Sequence, residues 1–208
     1  MTPKAYFDEV WSRADLFEAL YAFISKNTAA ALDPSELLRA EWAMRVSALD
    51  LYVHELVAQS LLNIFQGTRP ACPGYLKLQI STDTLMKIVA TGLGPSSGAA
   101  FDLEVREKLS RVTYQAPDDI ADGIRMISSI ELWNEIAKYH GATGSSTVAA
   151  AKALKLSLVQ IVNRRNKIVH EGDMQPGIPR VAWPIARADV DAVKATISKI
   201  VTAIDAVA

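Results

Sequence analysis

Apolar residues recur along most of this chain at the three- and four-residue spacing of a helix face, and nowhere do they alternate for long enough to build a sheet. The clearest run covers residues 33–66. It opens on Asp33-Pro34-Ser35-Glu36, where Asp33 can cap, Pro34 suits the first turn and Glu36 occupies the reciprocal capping position. Leu38, Trp42, Val46, Leu49, Val53 and Leu56 mark one face, Val57, Leu61 and Ile64 widen it, and Gly67 and Pro70 stop it. A helix of that extent is roughly 50 Å long, enough to form the spine of a bundle.

Weaker patterns surround the spine. Phe7, Val10, Leu16, Leu20 and Phe23 predict a helix over 6–26 within an N-terminal segment 1–32, with 27–32 as a short connection. Residues 67–116 read as a less regular insertion. In it, Cys72-Pro73-Gly74 and Gly92-Leu93-Gly94-Pro95 bracket a short helix suggested by Leu85, Ile88 and Val89, and a second short helix fits 101–112. Pro117-Asp118 opens a stronger helix carrying Ile120, Ile124, Ile127 and Trp133, expected to run over 117–139. After a turn at 141–146, Leu154, Leu158, Ile161 and Val162 predict a helix over 146–169. A loop rich in glycine and proline follows at 172–184, and Val190, Val193, Ile197, Ile200 and Ile204 predict a last helix over 189–207. The expectation is an all-α, up-and-down helical bundle in one domain, 1–208, with four principal helices and the N-terminal and middle segments packed around them.

Composition narrows the partners. With 22 basic against 23 acidic residues, the chain has no global basic field, so contact with nucleic acid must be local. Cys72 is the only cysteine, which excludes an internal disulfide and any multi-cysteine zinc site. Lys4, Asp8 and Glu9 interrupt the N-terminal apolar residues and no uncharged apolar run reaches bilayer length, so the expected setting is cytoplasmic, without membrane attachment.

The candidate chemistry lies in Arg164-Arg165-Asn166-Lys167-Ile168-Val169-His170-Glu171-Gly172-Asp173. Arg165 continues the stripe Leu154, Leu158, Ile161, so a permanent charge points toward a packed or shared surface and needs a carboxylate, a second subunit or a phosphate. Six basic residues (Lys138, Lys152, Lys155, Arg164, Arg165, Lys167) lie between 138 and 167 with no acidic one among them, a credible local phosphate-binding surface. Asn166 and His170 share a helix face, whereas Arg165 and His170 are separated by roughly 140°. Either two copies meet across a two-fold axis to combine them, or the helix end is distorted.

Arg165-Asn166-Lys167-Ile168-Val169-His170 resembles the signature of the HEPN family: an arginine, a polar residue after it, and a histidine after four intervening positions. Residues 45–56, Arg45-Val46-Ser47-Ala48-Leu49-Asp50-Leu51-Tyr52-Val53-His54-Glu55-Leu56, are similar to the long-helix segment of the RiboL-PSP-HEPN subgroup, which Arg164 and Glu171-Gly172-Asp173 also suit. The resemblance implies a metal-independent endoribonuclease without cofactor, commonly homodimeric, often a toxin or antiviral effector, with an antitoxin or regulatory protein as a possible partner. In it, His170 acts as general base on a ribose 2′-hydroxyl or general acid toward the leaving 5′-oxygen, since imidazole titrates near neutral pH. Arg165 grips the scissile phosphate, Asn166 orients it or the imidazole, and the products are a 2′,3′-cyclic phosphate and a 5′-hydroxyl.

Plainer roles stand beside these. His170 could serve terminal carbonyls at a helix end, and Arg165 a buried ion pair with Asp50 or Glu55. Arg164 and Lys167 read as solvated charges supporting substrate binding. Arg45, Asp50 and His54 are candidates for supporting roles, with a structural side-chain pair the preferred reading of Asp50 and His54. The spacing offers no Gly-rich phosphate loop, dinucleotide fingerprint, zinc spacing or nucleophile elbow. Beside the ribonuclease stand a non-catalytic HEPN-like module that binds RNA, a nucleotide or a protein, and a purely structural helical dimer.

Overall fold

The spine starts where Asp33 stops the preceding chain: its carboxylate accepts from the Ser35 backbone N–H at 2.9 Å and from the Ser35 hydroxyl. These bonds hold the Asp33 carboxyl below the usual carboxylate range. The helix itself, α2 (Ser35–Phe65), begins two residues beyond Asp33, so Asp33 braces the first turn from outside it. Gly67, at φ +74°, ends it.

The computed structural model describes residues 1–28, 32–92 and 94–208. Part of the expected connection at 27–32, and Leu93 within the expected break at 92–95, lie outside the described residues. Around α2 are α1 (Pro3–Asn27), α3 (Thr82–Thr91), α4 (Pro95–Leu109), α5 (Pro117–Arg125), α6 (Leu132–Tyr139), α7 (Ser146–Glu171) and α8 (Arg187–Val207), with one 3₁₀ turn at Tyr75–Lys77. The protein is an all-α bundle. Among the described residues there is no strand, only an isolated bridge between Met174 and Ala182.

Helix α2 is buried on nearly every side because it touches α1, α4, α5, α7 and α8. Val46, Leu49, Val53, Val57 and Leu61 meet Ile120 and Ile124 of α5, Leu158 of α7 and Val193, Ile197 and Ile200 of α8 in one core. Each such aliphatic side chain contributes about 1.5–3 kcal/mol by leaving water. Trp42 fixes the register of α7: its indole N–H donates to the Ile161 carbonyl at 3.0 Å.

Two expectations change. The helix expected over 117–139 is two helices, α5 and α6, separated by residues 126–131. Trp133 shows why: its indole donates to the Pro117 carbonyl at 3.0 Å, whereas a straight helix would hold those residues about 24 Å apart. Ser81 and Glu104 give the middle insertion more order than its composition suggests. The Ser81 hydroxyl caps Thr84 N–H, and Glu104 of α4 accepts from both the backbone and the hydroxyl of Ser81, tying α3 to α4.

Candidate active site

Helix α7 is unbroken through the whole motif and ends in a defined way. Gly172 takes the left-handed conformation at φ +61°, and the Lys167 carbonyl accepts from both the Gly172 N–H and, at 2.9 Å, the Asp173 N–H, five and six residues on, which reverses the chain. The helix is continuous from Arg165 through His170. On a regular helix Arg165 and His170 stay roughly 140° and about 7.5 Å of axial rise apart, so one copy does not aim both at one phosphate.

Arg165 is half-buried. Its Nη1 donates to Asn166 Oδ1 at 3.1 Å, and its Nε is buried without a partner. No carboxylate pairs with it among the described residues, and the two expected partners are taken. Asp50 accepts from the Tyr114 backbone N–H at 2.6 Å and from Gln115 Nε2 at 2.8 Å, and Glu55 binds Arg106 with both oxygens. Asn166 and His170 are exposed, and the His170 ring has no hydrogen-bond partner among the described residues.

Arg164 corrects an expectation. It is not a solvated charge: its Nη2 lies 2.6 Å from Asp173 Oδ2 and 3.1 Å from the Pro184 carbonyl, and its guanidinium sits 6.0 Å from the Trp42 ring centroid. The same Asp173 oxygen accepts from Arg39 Nε at 3.0 Å, and Arg39 Nη2 reaches the Trp183 carbonyl at 2.6 Å. Asp173 is fully buried and, at φ +55°, is the one non-glycine residue with positive φ among those described. Sequence reasoning passed over Arg39. The available signal was a buried-face arginine four residues after Ser35, opposite an aspartate that follows a helix-ending glycine.

The acid-free stretch is half neutralised from outside. Lys138 pairs with Glu135, Lys155 with Asp118 and Arg164 with Asp173, leaving Lys152, Arg165 and Lys167 without a carboxylate among the described residues. Lys167 lies 5.9 Å from the centroid of the Trp183 ring.

The upstream candidates sit elsewhere. Arg45 is fully buried, stacked 4.4 Å from the Trp11 ring centroid, and spends its donors on Glu41, Asp15 and the Trp11 carbonyl. It ties α1 to α2 and offers nothing to α7. Asp50, besides holding residues 114 and 115, lies 3.5 Å from His54 Nε2, and the His54 ring meets Tyr114 edge-on at 4.7 Å. That group docks the segment before α5 onto α2. Burial pushes the Tyr114 phenol up to about 12, with the charges of Asp119 and Asp50 adding to the effect. Tyr52 is raised further by burial and by Asp205, whose carboxylate accepts its hydroxyl at 3.2 Å.

A groove of about 490 Å³ between α5, α6 and α7, and another of about 680 Å³ beside residues 111–114, contain neither Arg165 nor His170. Among the described residues no group of three or more histidine, cysteine or acidic side chains could hold a metal ion, and no helix is long and apolar enough to cross a membrane. No family model, curated protein or solved structure matches the chain.

Proposed function

We propose that the chain is a metal-independent endoribonuclease of the HEPN type that works as a homodimer in the cytoplasm, as a toxin or antiviral effector. The observation that carries the reading is the intact α7 tip: the six-residue motif lies on one regular helix, and its arginine has no carboxylate partner among the described residues. A guanidinium without a counter-charge is suited to an anion, and phosphate matches its paired donors.

Since one helix points Arg165 and His170 apart, two tips meeting about a two-fold axis supply the cleft. His170 of one copy takes the proton of the ribose 2′-hydroxyl as that oxygen attacks phosphorus. The phosphorus–5′-oxygen bond breaks, and His170 of the second copy protonates the departing oxygen. Arg165 holds the non-bridging oxygens, and Asn166, already bonded to Arg165, keeps its guanidinium in place. The products are a 2′,3′-cyclic phosphate and a 5′-hydroxyl. An antitoxin or regulatory protein that covers the tip would silence it.

The lack of a hydrogen-bond partner for the His170 ring favours a second reading, a non-catalytic HEPN-like module that binds RNA, a nucleotide or a protein at the same tip. Cleavage of RNA in excess chelator separates the two. The ribonuclease cuts, and Arg165→Ala and His170→Ala each abolish cutting; cleavage that survives both substitutions removes the site, and binding without cleavage selects the module.

A further inference from the structure

A structured hairpin, residues 174–183, follows the end of α7. The Met174–Ala182 bridge sets its register, Gln175 N–H donates to the Val181 carbonyl at 2.8 Å, and Gln175 Nε2 donates to the Ala182 carbonyl at 3.2 Å. Its base is anchored in the Asp173 cluster: Trp183 N–H donates to the Asp173 carbonyl at 2.8 Å, and the Trp183 carbonyl accepts from Arg39. The main chain of Trp183 is thus fixed by buried groups while its indole remains half-exposed.

That indole differs from those of Trp42 and Trp133, whose N–H groups donate to main-chain carbonyls. Among the described residues the Trp183 N–H has no partner, and the nearby charge is the Lys167 ammonium, 5.9 Å from the ring centroid. Arg180 is exposed on the returning arm of the hairpin, in register with residue 176, and has no carboxylate partner among the described residues. Lys167 and His170, three residues apart, are separated by roughly 60° and about 4.5 Å of rise, so they share a side of α7. Lys167 and Arg180 thus add positive charge without a carboxylate partner, among the described residues, to the side of α7 and the hairpin that carry Trp183, although the chain as a whole is nearly neutral.

An anchored, half-exposed aromatic ring with an ammonium over one face, and an arginine three residues away on the same hairpin arm, suits one unstacked nucleotide, the base against the other face of the ring and the phosphate on the cations. We propose that Trp183, Lys167 and Arg180 form the subsite for a nucleotide flanking the scissile phosphate of a single-stranded RNA. This rests on the ribonuclease reading above. The hairpin selects single strands because a paired base cannot turn out onto the indole without leaving its stack.

The test measures binding of a fluorescently labelled, mixed-sequence 12-nucleotide RNA to the full chain carrying His170→Ala, in excess chelator, with Trp183→Leu, Trp183→Phe or Arg180→Glu added. Trp183→Leu is expected to weaken binding about tenfold, the scale of one base–aromatic contact. Trp183→Phe restores most of it. Arg180→Glu weakens binding several-fold and lowers the slope of log affinity against log salt by about 0.7 or more. Arg180 is exposed and unpaired, so this variant decides the matter should Trp183→Leu fail to fold. Affinity within about twofold of the parent for both Trp183→Phe and Arg180→Glu, together with an unchanged salt slope, overturns the subsite. Cleavage by the chain with His170 intact, assayed in parallel, reports on the ribonuclease reading separately: cutting with hairpin variants that bind normally leaves the enzyme standing and removes only the subsite. RNA binding that depends on Trp183 in a protein that never cuts removes the enzyme and keeps the hairpin as an RNA contact.

Discussion

Arg164 and Asp173 face each other across the end of α7, nine residues apart in the chain and 2.6 Å apart at Nη2 and Oδ2. Arg39 joins them from α2 at 3.0 Å, so one buried carboxylate oxygen holds the C-terminal part of α7, the start of α2 and the hairpin base together. The tip that carries Arg165 and His170 is therefore braced from behind.

Removing that carboxylate leaves Arg164 with main-chain carbonyls alone and the buried Arg39 with the exposed Glu36 as its only carboxylate among the described residues. Asp173→Ala is expected to cost about 3–5 kcal/mol of unfolding free energy in urea titration. A loss below about 1 kcal/mol would mean that the cluster is a surface-like pair with little net worth.

Glu41 is the second buried carboxylate of this kind. It is fully buried, accepts from Arg45 at 2.8 Å and from Arg187 at 2.5 Å, and so joins α2 to α8 while Arg45 reaches α1. Glu41→Ala should lose about 3 kcal/mol or more by removing the one fully buried carboxylate that Arg45 and Arg187 share, leaving Arg45 only the half-exposed Asp15 as a close counter-charge. RNA cleavage per folded molecule should stay at the wild-type rate. A drop in kcat of the folded fraction at unchanged stability would return Arg45 and its partners to the active site.

Much of the fold was legible because its signals are local. The spine needs only its cap, its 3.6-residue stripe and Gly67, all contained in one stretch of chain. The break between α5 and α6 depends on a bond from Trp133 to a carbonyl 16 residues earlier, which no periodicity encodes. The site divides the same way. Arg165 at the end of an apolar stripe was readable as a charge needing a partner, and helix geometry separated it from His170. Arg164 was misread because its partner lies past a chain reversal created by Gly172, and because Arg39, the third member, is far away in sequence.

Alkaline pH provides a separate check on the packing of α5 against α2. Tyr114 titrates at about 12 in the folded chain against 10.0 in the open chain, because burial disfavours the phenolate. Its contribution to stability is complete below pH 10 and declines as pH rises from there through about 12, where the folded phenol also ionises. Tyr52, raised for the same reason, steepens the decline. Tyr114→Phe should flatten the fall in melting temperature over that window. An equally steep fall in the variant would show that Tyr114 is solvated.

The claim on which the account rests is that Arg165 and His170 from two α7 tips act on one phosphodiester. Coexpressing Arg165→Ala with His170→Ala, purifying the mixed dimer and assaying RNA cleavage in excess chelator tests it directly. The mixed dimer, retaining one arginine and one histidine in the shared cleft, should cut RNA more slowly than the wild type, with water protonating the departing oxygen in place of the second imidazole, where each variant alone is inert, leaving 2′,3′-cyclic phosphate and 5′-hydroxyl ends. A mixed dimer as inactive as its parents, beside an active wild type, would contradict a shared site.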